Sequence, residues 1–216
     1  MANFLDRAAL KTILKTATAV RKINSQAGER PLAVYRAQGN AGTGWKPPFW
    51  LMAAHNAVHA AAVEAFGGWM MQEVKDGIVA VFSDANAALR AALHAVHAFD
   101  LAREMVILPA TRVAVVGGLV SVIERPIRAV SGATVARAEK LLARVPDGQV
   151  VVETAFLSSL KPPMKYGDIE ISQAKKGKIP GLGAVETVTL KPIGLSDELG
   201  EEMEVVDAEL RARGRR

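Results

Sequence analysis

The four histidines fall in two pairs: His55 and His59 stand i,i+4, and His94 and His97 stand i,i+3. On a helix either spacing puts two nitrogen ligands on one face, which is half of a zinc site. Neither pair has a third ligand nearby, and both sit among Ala and Val, so these residues favour packing on a helix face. The chain has no cysteine. Disulfides, thiolate zinc sites and cysteine nucleophiles are therefore excluded together, and a reducing compartment fits. Gly39-Asn40-Ala41-Gly42-Thr43-Gly44-Trp45-Lys46 is rich in glycine, as phosphate loops are, but it matches neither the Walker spacing nor the dinucleotide fingerprint. It reads as a flexible loop.

The elements that position these residues follow from periodicity. Leu5, Ala9, Ile13, Ala17, Val20 and Ile23 recur at helical spacing, which predicts an amphipathic helix over residues 4–24. Leu32–Tyr35 reads as a short strand, and residues 49–66 as an Ala-rich helix stopped by Gly67-Gly68. Trp69–Val74 and Ile78–Phe82 flank the turn Lys75-Asp76-Gly77, and Asp-Gly between two apolar runs is a strong hairpin signal. Ser83 is the expected N-cap of a helix over Asp84–Phe99. Val106–Ile123 should hold one or two buried strands, broken at Gly117-Gly118. A helix over Gly132–Ala143, a turn at Pro146-Asp147-Gly148, a strand over Gln149–Val152 and a short helix over Ala155–Leu160 follow. Two further strands are expected over Asp168–Ser172 and Ala184–Leu190, and the charged tail reads as helical. The order predicts an α+β fold, a ferredoxin-like βαββαβ sandwich with extra C-terminal strands and helices on one face. Its expected parts are a helical extension (residues 1–30), the main domain (31–193) and a charged tail (194–216).

Over residues 32–190 the chain resembles the catalytic domain of class III adenylate/guanylate cyclases. Gly67-Gly68-Trp69 through Val81-Phe82 is similar to that family's Gly-Gly, strand, Gly-Asp-Gly, strand ending in Phe. Arg112-Val113-Ala114-Val115-Val116-Gly117-Gly118 resembles its "R-I-G-I-H-T-G" strand, and Pro146 through Val152 its "P-G-Q-V-L-V-S" turn. Gly132-Ala133-Thr134-Val135 resembles the opening of the next helix, and Pro180 through Leu190 the closing strand. The ordered series carries the resemblance, rather than any one motif.

The resemblance implies two aspartates holding two divalent metals against a triphosphate. The second matches Asp76, but the first falls on Arg36. A cation there would repel a metal by several kcal/mol, taking ~4 Å and an effective dielectric of about 20. The base-selecting positions fall on Gln72 and Ala129, and the transition-state Asn and Arg on Ala136 and Lys140. Lysine keeps the charge of that last position without its bidentate fork. A lysine expected before the last strand falls on Pro180, so Asp76 alone is intact, and it is expected to pair with Arg36.

The function expected is therefore a catalytically degenerate cyclase-like domain acting as a regulatory or interaction module, a homodimer or the partner of another protein. Arg36, Gln72, Lys140, Lys75 and Lys46 are candidates for a metal-free pocket for a nucleotide or other phosphate compound. No cofactor is expected, and Asp76 is the one residual metal-ligand candidate. The alternative is an active cyclase with atypical residues, which would need Mg²⁺ or Mn²⁺. Half of the residues are apolar, enough for a core. The net charge of +5 owes much to Arg211, Arg213, Arg215 and Arg216. Without that tail it is about +1, and with aromatics at 5% a base-stacking surface is poorly supplied, so nucleic acid is not an expected partner. The longest apolar run, Val113–Ile123, falls short of the ~20 residues of a membrane span. Met1–Asp6 has no basic region followed by an apolar stretch, so no signal peptide and a cytoplasmic location are expected.

Overall fold

Strand β1 (Glu29–Gly39) organises the sheet, because its side chains alternate between two apolar layers. The computed structural model describes residues 29–39, 47–74, 76–102, 109–123, 129–160 and 169–193. The predicted N-terminal helix, most of the glycine-rich loop, Lys75 and the tail lie outside them.

After β1 come helix α1 (Phe49–Ala65), the hairpin β2 (Trp69–Val74) and β3 (Gly77–Phe82), helix α2 (Ala85–Ala102) and strand β4 (Thr111–Ile123). Then follow β5 (Ala129–Ser131), α3 (Ala133–Leu142), β6 (Val150–Glu153), α4 (Thr154–Ser159), β7 (Ile169–Ile171), β8 (Lys175–Ile179) and β9 (Gly183–Pro192). This is the expected βαββαβ order with further strands. The strands run β2-β3-β1-β4-β6-β9-β7, with β5 on β4 and β8 on β9. Among the described residues only β4 and β6 pair in parallel. No helix among the described residues is long and apolar enough to cross a membrane.

Helices cover both faces, which corrects the one-sided arrangement expected from the sequence. Ala33, Tyr35 and Ala37 of β1 face α1 and α2, in a core with Val63, Leu89 and Val96. Leu32 and Val34 face the other way, in a core with Ala138, Leu141 and Leu142 of α3. The strands nearest the centre are apolar on both faces, and such strands must be covered twice.

Three local expectations are also corrected. β1 is longer than Leu32–Tyr35, since it pairs along its full length with β4. β4 runs unbroken through Gly117-Gly118. Those glycines admit close packing: a Cβ at Gly117 would lie 2.9 Å from the Phe156 ring, and one at Gly118 2.5 Å from Thr134 Oγ1. At α2 the cap is Asp84, not Ser83, since the Asp84 carboxylate accepts the Asn86 N–H at 3.0 Å. β5 and β8 were not expected from the sequence at all.

Candidate functional site

The alternation of β1 puts two polar systems on opposite faces of one strand. Even-numbered Arg36 and Gln38 point toward α3, and odd-numbered Tyr35 points toward α1.

On the α3 side, Arg36 is 3% exposed. A guanidinium this deep is tolerated only when its donors are engaged. Its Nη2 donates to Asp76 Oδ1 at 2.7 Å, its Nε donates to Glu139 Oε1 at 2.9 Å, and its Nη1 donates to the Ala37 carbonyl. Asp76 sits at the β2–β3 turn, where the Gly39 N–H also donates to its carbonyl at 2.8 Å. The other Asp76 oxygen accepts from Gln38 Nε2 at 2.5 Å, and Gln38 Oε1 accepts from Arg112 Nε at 3.2 Å. Arg112 ends the series by donating to the Val145 carbonyl at 3.1 Å. Burial alone would raise the Asp76 carboxyl, but the hydrogen bond and charge of Arg36, with the Gln38 bond, hold it below the usual carboxylate range. Burial lowers the Arg112 pKa.

The expected ion pair of Arg36 with Asp76 is thus present, but the site is wider than the sequence indicated. Glu139, Gln38 and Arg112 were missed. The available signal was strand parity: Gln38 follows Arg36 by two residues, and Arg112 lies directly across from Gln38 in the β1–β4 register.

The remaining candidates are dispersed. Gln72 is exposed on β2 opposite Val79, beyond a bulge, and makes no hydrogen bond to the Arg36 cluster among the described residues. Ala129 starts β5 opposite Ile123. Ala136 is exposed on α3. Lys140 reaches the β8–β9 turn that holds Pro180, where its ammonium lies against Gly181. Lys46 and Lys75 lie outside the described residues. A shallow cleft of about 370 Å³, lined by Arg137, Glu153, Thr154, Ser158 and Glu186, contains none of these candidates. Among the described residues no three His, Asp or Glu side chains converge as a metal-binding group.

On the α1 side, His55 and His59 are fully buried, as packing on a helix face requires. Their hydrogen bonds form one directed chain. Asn56 Oδ1 can only accept, so His55 Nδ1, 3.2 Å away, carries its proton. His55 Nε2 then accepts from the Thr111 hydroxyl at 3.1 Å, and the same oxygen accepts from His59 Nε2–H at 2.8 Å. His59 Nδ1 is left to accept from the Tyr35 hydroxyl at 2.5 Å. Both imidazoles are neutral, as opposite tautomers. Phe99 stacks on His59 with ring centroids 4.9 Å apart. Burial lowers the His55 pKa from 6.5 to about 4, the Asn56 bond opposing it, and burial and His55 push His59 well below the ordinary value. Burial raises the Tyr35 phenol above its usual range. His94 is not part of this system; its Nδ1 meets the Arg90 carbonyl at 2.8 Å.

No protein-family model matches the chain, and no curated protein does. Solved structures do. The guanylate cyclase domain of RhGC from Catenaria anguillulae, in complex with GTP, aligns with a TM-score of 0.62 at 15% identity, over 78% of this chain and 100% of that one. Adenylate cyclases from Trypanosoma brucei, in their monomeric state, align at 0.62 and 14% identity, over 80% and 95%. The adenylate/guanylate cyclase/hydrolase from Silicibacter pomeroyi aligns at 0.57 and 20% identity, over 78% and 100%. These alignments span nearly the whole of each cyclase domain, and the chain has the fold of the class III adenylate/guanylate cyclase catalytic domain.

Proposed function

We propose that this chain is a cyclase-fold domain without cyclase chemistry, acting as a regulatory or interaction module that pairs with a second copy of itself or with another protein. The observation that carries this reading is Arg36, buried and shared between the Asp76 and Glu139 carboxylates at 2.7 and 2.9 Å. In the family it resembles, the position of Arg36 carries an aspartate and receives metal. Two divalent ions do not fit this donor set, because a fixed cation stands between Asp76 and Glu139 at the place where a metal would sit. A phosphate ligand is disfavoured as well. Each of the Arg36 nitrogens is engaged, and the half-exposed Asp76 and Glu139 would meet a triphosphate with like charge.

Two family positions in the catalytic helix reinforce the reading. Ala136 offers no hydrogen-bonding side chain, and Lys140 is turned to the β8–β9 hairpin. The test is incubation of the purified protein with ATP and with GTP in the presence of Mn²⁺, followed by assays for cyclic product and for nucleotide binding. The expected result is no cyclic product and no binding that increases with metal. Cyclic nucleotide that disappears in Asp76→Ala would overturn the proposal.

A further inference from the structure

The two polar systems of β1 meet at its C-terminal end. In the β1–β4 ladder Gln38 pairs with Arg112 and Gly39 with Thr111, on neighbouring rungs. The side chains of Gln38 and Arg112 belong to the Arg36 series on the α3 side. Thr111 is the central member of the histidine series on the α1 side. Successive residues of a strand point to opposite faces, so the sheet separates the side chains of the two series. What they share is backbone.

Gly39 is where that backbone is gripped from both sides. Its N–H donates to the Asp76 carbonyl at 2.8 Å, and the Asp76 carboxylate is held in turn by Arg36 and Gln38. On the other side the His55 ring rests on Gly39, since a Cβ there would lie 3.1 Å from His55 Nε2 and 3.2 Å from Met52 Cε. The same Nε2 accepts from the Thr111 hydroxyl at 3.1 Å. Thr111 is fixed as well. Its carbonyl accepts the Gly148 N–H at 2.7 Å, close to the bond from Arg112 to the Val145 carbonyl. Charge spans the same gap. Burial chiefly sets the low His55 pKa against the Asn56 bond, and beyond these the Arg36 charge lowers it and the Asp76 charge raises it.

We propose that the Gly39–Thr111 rung is a coupling element. Displacement of the hairpin tip at Asp76 shifts the Gly39 backbone, and with it the His55–Thr111 bond that seats α1 on the sheet. Gly39 and Thr111 are both buried, so close packing leaves little room to absorb the shift locally. Asp76 is half exposed at the tip. Whatever engages its carboxylate from outside therefore acts on α1 through this rung, by contiguous contacts rather than at a distance.

Gln38→Met and Thr111→Val alter side chains on opposite faces, and a double-mutant cycle in the full chain, read by urea unfolding, measures their coupling. The unfolding constant of the double variant should depart at least about fivefold from the product of the single effects. Arg137→Met with Thr111→Val is the control, because Arg137 pairs with Glu153 at the end of β6 remote from Thr111. That pair should agree with the product to within about twofold. A second readout needs only single variants and decides the matter if Thr111→Val fails to fold. The imidazole nitrogen resonances of His55 and His59 should move in Gln38→Met and stay in place in Arg137→Met. Additivity of Gln38→Met with Thr111→Val, an equal departure in the control pair, or histidine resonances unchanged in Gln38→Met would overturn the proposal.

Discussion

Removing the buried cation should harm this protein less than removing its counter-charges. In Arg36→Met the aliphatic stem keeps its packing, and the orphaned groups are Asp76 and Glu139, whose side chains are 41% and 49% exposed. Both carboxylates can turn to water, so the loss should be about 1–2 kcal/mol. Asp76→Asn with Glu139→Gln leaves the hydrogen-bonding cover over the guanidinium but strips both charges. The cation, 3% exposed, is then buried and uncompensated. That costs about 3–5 kcal/mol. The thermal midpoint should drop by about 4 °C for the first variant and by about 10 °C or more for the second. Chemical unfolding followed by circular dichroism measures both, and the single variants at Asp76 and Glu139 show how the two acceptors share the cation. If Arg36→Met destabilises as much as the double amide variant, Arg36 is not a buried charge held by its partners, and the case for a built-in replacement of metal weakens with it.

Other expectations follow from the same geometry. Thr111→Val should cost about 2–4 kcal/mol by calorimetry, because it leaves His55 Nε2 without a donor and the His59 Nε2–H without an acceptor. Stability should fall as pH drops from 6.5 to about 4, since His55 is held neutral in the fold while the unfolded chain takes up a proton; urea midpoints should show a loss of about 3 kcal/mol from this residue, and a flat profile over that window would contradict it. Gly77→Ala should be among the most disruptive single changes, because a Cβ there would run into the Ala37 carbonyl oxygen beside the Arg36 guanidinium. A loss of several kcal/mol is expected, read as a midpoint shift larger than that for Gly67→Ala, where a Cβ meets nothing within 4 Å and only the positive φ opposes it.

What could be read from the sequence was local or periodic. The Asp-Gly turn and its two apolar runs specify the β2–β3 hairpin within fourteen residues, Trp69 to Phe82, so no distant contact is needed to recognise it. The Arg36–Asp76 pair was legible because the resemblance aligned both residues to positions that share a ligand. Glu139 was not, since it meets Arg36 across 103 residues of chain. Its helix is amphipathic, and amphipathicity does not say which face of a sheet a helix will cover. Gly117 and Gly118 look like breakers in a string of valines. In the fold they are the places where Phe156 and Thr134 approach the strand too closely for any side chain. β8 escaped notice because Lys175, Lys176 and Lys178 mask its alternation, as charged residues do on strands that end a sheet.

The run of hydrogen bonds from Tyr35 through His59, Thr111 and His55 to Asn56 has a fixed direction: Tyr35 gives a proton, His59, Thr111 and His55 each take one and give one, and Asn56 takes the last. A sequence that exchanges one member for an apolar residue does not lose one bond. It reverses or strands every proton beyond that point, and each buried group left without a partner costs its desolvation. These five positions therefore behave as a single hereditary character. Related chains should carry all of them or have replaced the set with hydrocarbon, and intermediates should be scarce because each is less stable than either end.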